Sequence, residues 1–180
     1  MAFQHLLACL DHHGVEYQTA SMGSKGPQMY QSDELPSFTY GSNMSSRYLR
    51  TTCPSARPMM SAMLPNVRIE FRRYSTDLGG GISTIMPAPG EMVHGVLYRI
   101  ARAEIEALDL LEDVDKGLYL RESHLVLGAD DDWHRGELYR VAKPEGPFAP
   151  SRTYLDHMLE GAREHGLPAD YVARLEALRQ

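Results

Sequence analysis

Three stretches of this chain carry residues able to do chemistry. In FTYGSNMSSRYL (38–49), Phe38 and Tyr40 suit a strand and Gly41 breaks it. Ser42, Asn43 or Ser45 can then cap a helix. Such a turn offers backbone N–H groups to an anion, but it holds no lysine for a phosphate and no second glycine for a dinucleotide. The second stretch, DLGGGIS (77–83), lacks the Lys-Ser/Thr of a phosphate loop. Gly80 and Gly81 read either as a flexible hairpin or as a place where backbone comes close to a ligand. The third is Glu112.

In RAEIEALDLLED (102–113), Ile105, Leu108 and Leu111 make an apolar face. Glu112 lies seven residues after Ile105 and four after Leu108, on or beside that face. The macrodipole disfavours a negative charge at a helix C-terminus. Burial would also raise its pKa toward the range useful for proton transfer. The alternative is that the last turn twists Glu112 into solvent with Asp109 and Asp113. Tyr139 and Tyr154, taken alone, read as core tyrosines with the hydroxyl at the edge.

The eight histidines form no HxH or HExxH pattern, and the two cysteines form no CxxC. His12 and His13 would point about 100° apart on a helix, so the histidines read as surface residues and no metal is expected. Cys9 and Cys53 make no disulfide framework and have no neighbouring histidine. A reduced, cytoplasmic setting and no thiol nucleophile are expected.

The elements that must position these groups are legible in part. VRIEFRR (67–73) alternates apolar and charged residues at strand period. ISTIMPAP (82–89) reads as a short strand stopped by prolines, and MVHGVLYRI (92–100) as a central strand apolar on both faces. LYLRESHLVL (118–127) and GELYRVA (136–142) flank the acidic turn GADDD (128–132). Helices are expected over 102–113, over 151–165 up to Gly166, and over 169–179 after Pro168. Residues 1–36 read as an N-terminal extension, with a short helix ended by Gly14 and then a Ser/Gly/Met/Gln-rich run with room for disorder. Residues 37–180 read as one domain. The fold class is α+β: a small mixed or antiparallel, barrel-like sheet, closed or nearly so, flanked by helices.

At 180 residues, 43% hydrophobic and 23% charged, the chain can bury a core of its own. A net charge of −6 argues against a nucleic-acid surface. LLACL is too short to span a membrane and lacks a basic segment before it.

Taken in order, these pieces resemble the γ-glutamylcyclotransferase family. FTYGSNM is similar to that family's substrate loop, an aromatic and a small residue followed by Y-G-S-N. GGGISTIMPAPGEMVHGVLYRI resembles its next block, a G-G-I-A-T-I-like strand, a P-G and a W/H-G-V strand. ALDLLEDVDKGLY resembles L-D-x-x-E-G-V-x-x-G-x-Y, which sets the family's catalytic glutamate on Glu112. ELYRVA and the stretch from Pro150 to Leu175 resemble its C-terminal part, so the likeness runs from about Phe38 to Leu178. It implies a barrel-like α+β fold and an intramolecular cyclisation. The α-amine of a γ-glutamyl group attacks its own γ-carbonyl, giving 5-oxoproline and releasing an amino acid or amine.

By the same resemblance Thr39, Tyr40, Gly41, Ser42 and Asn43 hold the glutamyl moiety, Tyr139 and Tyr154 line the pocket, and Gly80 and Gly81 let backbone come near. No cofactor or metal is implied. The partner is a small-molecule γ-glutamyl substrate, with no nucleic acid and no membrane, and a homodimer is left open. Two positions depart from the pattern. Asp113 stands where the family has Gly, tolerable because Asp reaches unusual backbone angles, and Thr39 stands for a common Ala. Other readings on the same scaffold are another acyl transferase or hydrolase, with Glu112 activating water, and a γ-glutamyl-binding module without catalysis.

Overall fold

The computed structural model describes residues 33–179. The expected helix before Gly14, with Cys9, His12 and His13, lies outside them. Five strands close into a barrel: β1 (Glu34–Thr39), β2 (Arg57–Ser75), β3 (Gly80–Ala101), β4 (Tyr119–Gly128) and β5 (Trp133–Val141), in the order β1-β3-β2-β4-β5. All neighbours are antiparallel except β1 and β5, whose parallel pairing of Ser37 with Glu137 closes the ring. The α+β barrel expected from the sequence is the fold observed. Leu35 and Pro36, counted with the extension in the sequence, already pair with Ile100 and Arg99.

The long β2–β3 ribbon departs from expectation. Segments 82–89 and 92–100 are one strand, and β2 begins ten residues ahead of VRIEFRR, at Arg57. Pro87 and Pro89 do not stop β3. The register slips at Pro58/Met60, Pro65/Val67 and Phe71/Arg73, and bulges bend a strand and leave positions where proline is tolerated. Asn66, at the middle slip, has φ +62° and accepts from the Gly90 amide at 3.1 Å.

Successive residues of a strand face opposite ways, and β3 uses both faces. Leu97 joins Phe38, Leu64, Ile85 and Leu138 in one buried cluster. Tyr98 joins Met44, Leu49, Ile105, Leu155 and Leu159 in a second, under the helices. These helices are α1 (Ser46–Leu49), α2 (Arg102–Leu111), α3 (Arg152–Glu164) and α4 (Ala169–Ala177). Ser45 caps α1 by accepting from the Tyr48 amide at 3.1 Å, and Ser151 caps α3 by accepting from Tyr154. Gly166, at φ +62°, ends α3 as expected.

Among the described residues, no helix is long and apolar enough to cross a membrane.

Candidate active site

The loop after β1 is where the barrel meets α3. Residues Ser42–Met44 form a single 3₁₀ turn, closed by the Met44 amide donating to the Gly41 carbonyl at 3.0 Å. The amides of Ser42 and Asn43 open that turn, so they have no partner within it. The Ser42 amide is turned toward the Tyr154 hydroxyl. Gly41 must be glycine for a contact reason: a Cβ there would come 2.3 Å from the Tyr154 oxygen and 2.9 Å from Ser83 Oγ.

Helix α3 presses on the same loop from outside. A Cβ on Gly161 would lie 2.2 Å from the Met44 carbonyl carbon. Glu160 accepts from Ser45 Oγ at 3.0 Å and from the Arg47 guanidinium at 2.9 Å, and Glu164 accepts from the Ser46 amide at 3.1 Å.

Helix α2 ends at Leu111, and Glu112 is its C-cap residue, its amide donating to the Leu108 carbonyl at 3.0 Å. Ile105 and Leu108 are buried, whereas Leu111 is 53% exposed and not part of the apolar face. The helical repeat gives the reason. Glu112 falls about 20° from Ile105 around the axis, and Leu111 about 120° away. Glu112 thus takes the place on the inner face that the sequence reading shared with Leu111. Asp113 then adopts φ +53°, so the position where Asp replaces the family's Gly does use the left-handed region.

A cavity of about 40 Å³ lies at this junction. Its wall includes Thr39, Tyr40, Gly41, Ser42, Asn43, Glu112, Tyr139 and Tyr154, all expected from the sequence, together with Ser37, Phe38, Ser83, Leu108 and Tyr119. Glu112 Oε1 accepts from Asn43 Nδ2 at 3.4 Å. Burial pushes the Glu112 carboxyl up to about 7. The charge of Arg73 and the Asn43 hydrogen bond pull it down less strongly, and Asp113 adds a small upward push. A carboxyl poised there can both take and give a proton near neutrality.

The other polar groups are held by the protein itself. Tyr40 donates to the Tyr139 carbonyl. Tyr139 donates to Asp109 Oδ1 at 2.7 Å, and Asp109 also pairs with Arg121 at 3.4 Å. Asp109 is therefore an anchor for Tyr139 and not a free surface carboxylate. Tyr154 and Ser83 share a hydrogen bond of 2.8 Å, and Thr39 Oγ1 donates to the Val96 carbonyl at 3.2 Å. Burial raises the pKa of Tyr40, Tyr119, Tyr139 and Tyr154, keeping all four neutral.

Gly80 and Gly81 line no part of this cavity. A Cβ on Gly80 would strike the Ser151 backbone at 2.7 Å, and one on Gly81 the Ala149 carbonyl oxygen at 3.0 Å. The close approach read from their sequence is real, but the backbone that approaches is the chain's own. The Gly81 amide donates to Ala149 at 2.7 Å, and Ser151 donates back at 3.0 Å, which sets the start of α3 and so the place of Tyr154. Cys53 is buried, and burial pushes its thiol up to about 11. Among the described residues, no three His, Cys, Asp or Glu side chains gather where they could share a metal ion.

The chain matches the model of the AIG2-like family over residues 92–175. It is 30% identical over 145 residues to the human protein named gamma-glutamylcyclotransferase, covering 78% of this chain and 77% of the human one. The chain belongs to the γ-glutamylcyclotransferase family. The mouse protein of that name is 29% identical over 163 residues, covering 88% of this chain and 86% of the relative. A solved structure titled "Gamma-glutamyl cyclotransferase" superposes with a TM-score of 0.76 at 28% identity, over 80% of this chain and 87% of that one.

Within this γ-glutamylcyclotransferase-family chain, the sequence reading missed Tyr119 and Ser83. Tyr119 carries a signal: it is the aromatic that opens a strand seven residues after Glu112. Ser83 carries none, because its role comes from a partner 71 residues away.

Proposed function

We propose that the chain is a γ-glutamylcyclotransferase in which Glu112 moves the proton. A γ-glutamyl substrate puts its α-amine and its γ-carbonyl within reach of each other, so ring closure is already intramolecular and orientation supplies much of the rate. Glu112, ionised, takes a proton from the attacking amine. The C–N bond of the new five-membered ring forms at the γ-carbon. Glu112 then returns the proton to the departing nitrogen as the old amide bond breaks. The products are 5-oxoproline and a free amine or amino acid, and the proton count closes on one carboxyl group. Proton transfer of this kind is worth roughly 10²–10⁴-fold.

The Asn43 amide is a donor this mechanism assigns to the glutamyl moiety, and the Ser42 amide, which faces the Tyr154 hydroxyl, exchanges that partner for the substrate when it binds. A carboxylate carries less charge than a polyphosphate, so the absence of a loop lysine is no obstacle. The carrying observation is Glu112 itself: a carboxyl in the cavity wall, hydrogen-bonded to the loop and poised near 7. The test is product identity. Incubated with γ-glutamyl-alanine, glutathione and a γ-glutamyl amine, the protein should release 5-oxoproline from at least one, read by mass spectrometry. Free glutamate as the product would mean that Glu112 activates water, and no product from any of them would remove the catalytic reading.

A further inference from the structure

A second recess shares a wall with the catalytic cavity. It is a groove of about 310 Å³, and Ser42, Asn43, Glu112 and Tyr119 border both. The rest of its lining includes Tyr48, Arg73, Ser75, Asp77, Leu78 and Ile82. The small inner cavity suits a fixed headgroup and the wider groove a variable one. Glu112 must reach the departing nitrogen, so the group attached to that nitrogen extends past Glu112 into the groove.

Among the described residues, Arg73 is the sole lysine or arginine bordering the groove. Its guanidinium lies over the Tyr119 ring, 5.2 Å from the centroid, and 3.5 Å from Asp113 Oδ2. Asp113 gives its shorter contact, 2.7 Å through Oδ1, to Lys116. A guanidinium carries five N–H donors, and one long contact to a carboxylate leaves several of them over. Those donors sit in a recess whose other charges, Glu112, Asp77 and Asp113, are acids.

We propose that this groove is the leaving-group subsite and that Arg73 binds the carboxylate of a departing α-amino acid. In such a group the carboxylate is two bonds from the nitrogen that Glu112 protonates, so it lies close to Glu112, Asp77 and Asp113. Without a cation there, like charges would oppose binding. Arg73, half-buried and stacked on Tyr119, meets that carboxylate with a planar pair of donors. The inference rests on the cyclotransferase reading and adds to it the residue that reads the leaving group.

The experiment compares γ-glutamyl-alanine with γ-glutamyl-ethylamide, which presents the same glutamyl group but no carboxylate on the leaving side. Wild type should favour γ-glutamyl-alanine in kcat/KM by roughly 10- to 100-fold, the range for a charge-assisted contact. Arg73→Gln should remove that preference by raising KM for γ-glutamyl-alanine, and Arg73→Lys should restore part of it. Arg73 also lowers the pKa of Glu112, so both substrates will share a displaced pH profile in Arg73→Gln. Their ratio at each pH cancels that change and reports the carboxylate contact alone. Equal use of both substrates by wild type, or an equal loss of both in Arg73→Gln, overturns the subsite and leaves the cyclotransferase reading intact. Should Arg73→Gln not fold, wild-type preference and Arg73→Lys decide. If wild type forms 5-oxoproline from neither substrate, the subsite is overturned, and turnover of glutathione then decides the cyclotransferase reading by itself.

Discussion

Asn43 Nδ2 donates to Glu112 Oε1 at 3.4 Å, a contact that spans 69 residues of sequence. It ties the turn after β1 to the C-cap of α2, the two pieces whose meeting makes the cavity. This bond and the Arg73 charge hold the Glu112 carboxyl below where burial alone would put it.

The pH dependence of turnover follows from that balance. A carboxyl serves as a base only when ionised, so with Glu112 in the proposed role kcat/KM for a γ-glutamyl substrate should rise about tenfold per pH unit on the acid side and bend near 7. Asn43→Ala removes a contact that favours the ionised form. The bend should move to higher pH, with the plateau also lowered by loss of a cavity-lining group. A bend that stays near the ordinary glutamate range, or does not move in Asn43→Ala, would contradict the assignment.

Stability should run the other way. The folded pKa of Glu112 is raised from 4.5 to about 7. Such a group leaves stability fully present below pH 4.5 and lowers it as pH rises through 7, by about 3 kcal/mol in all. Glu112→Gln keeps the shape and removes the charge. It should therefore gain stability relative to wild type by about 3 kcal/mol more at pH 8 than at pH 4, measured by urea unfolding. An equal difference at both pH values would mean that the carboxyl ionises as easily in the fold as out of it.

Much of this was legible in the sequence, and the misses have physical causes. Alternation in Val67–Arg73 and the turn at 128–132 showed strands because one face is apolar and the other charged. The first half of β2, with Met59, Met60, Ser61, Ala62 and Met63, has few branched or aromatic residues to mark it, and bulges let β3 run through its prolines. Glu112 was visible because helical spacing sets it on or beside the inner face; the same spacing left a solvent-facing last turn open, and the family resemblance singled the residue out. Ser83 was not, because it depends on barrel closure and on where α3 docks. Gly80 and Gly81 announced a close approach, but a glycine cannot say whether the neighbour is a ligand or, as here, residues 148–151.

The contact between α3 and the loop predicts an effect at a residue outside the cavity. Gly161→Ala brings a methyl group 2.2 Å from Met44 and 2.4 Å from the Ser45 amide. The loop must shift, costing about 1–3 kcal/mol by overpacking, and kcat/KM should fall with it. Thermal unfolding and steady-state kinetics on the same preparation check this; wild-type values in both would show that the loop is not clamped by α3.

Gly41→Ala should force the Tyr154 hydroxyl away, since the new Cβ would lie 2.3 Å from it. Adding Tyr154→Phe removes the clashing oxygen, so the double variant should be more stable than the sum of the single losses predicts. Strict additivity in a double-mutant cycle would contradict the direct contact.

The most direct measurement is single-turnover formation of 5-oxoproline by wild type and Glu112→Gln, with folding checked by circular dichroism. Wild type should convert a γ-glutamyl substrate to 5-oxoproline, and Glu112→Gln, folded alike, should be slower by roughly 10²-fold or more. Wild-type rates in Glu112→Gln would take the proton transfer away from Glu112.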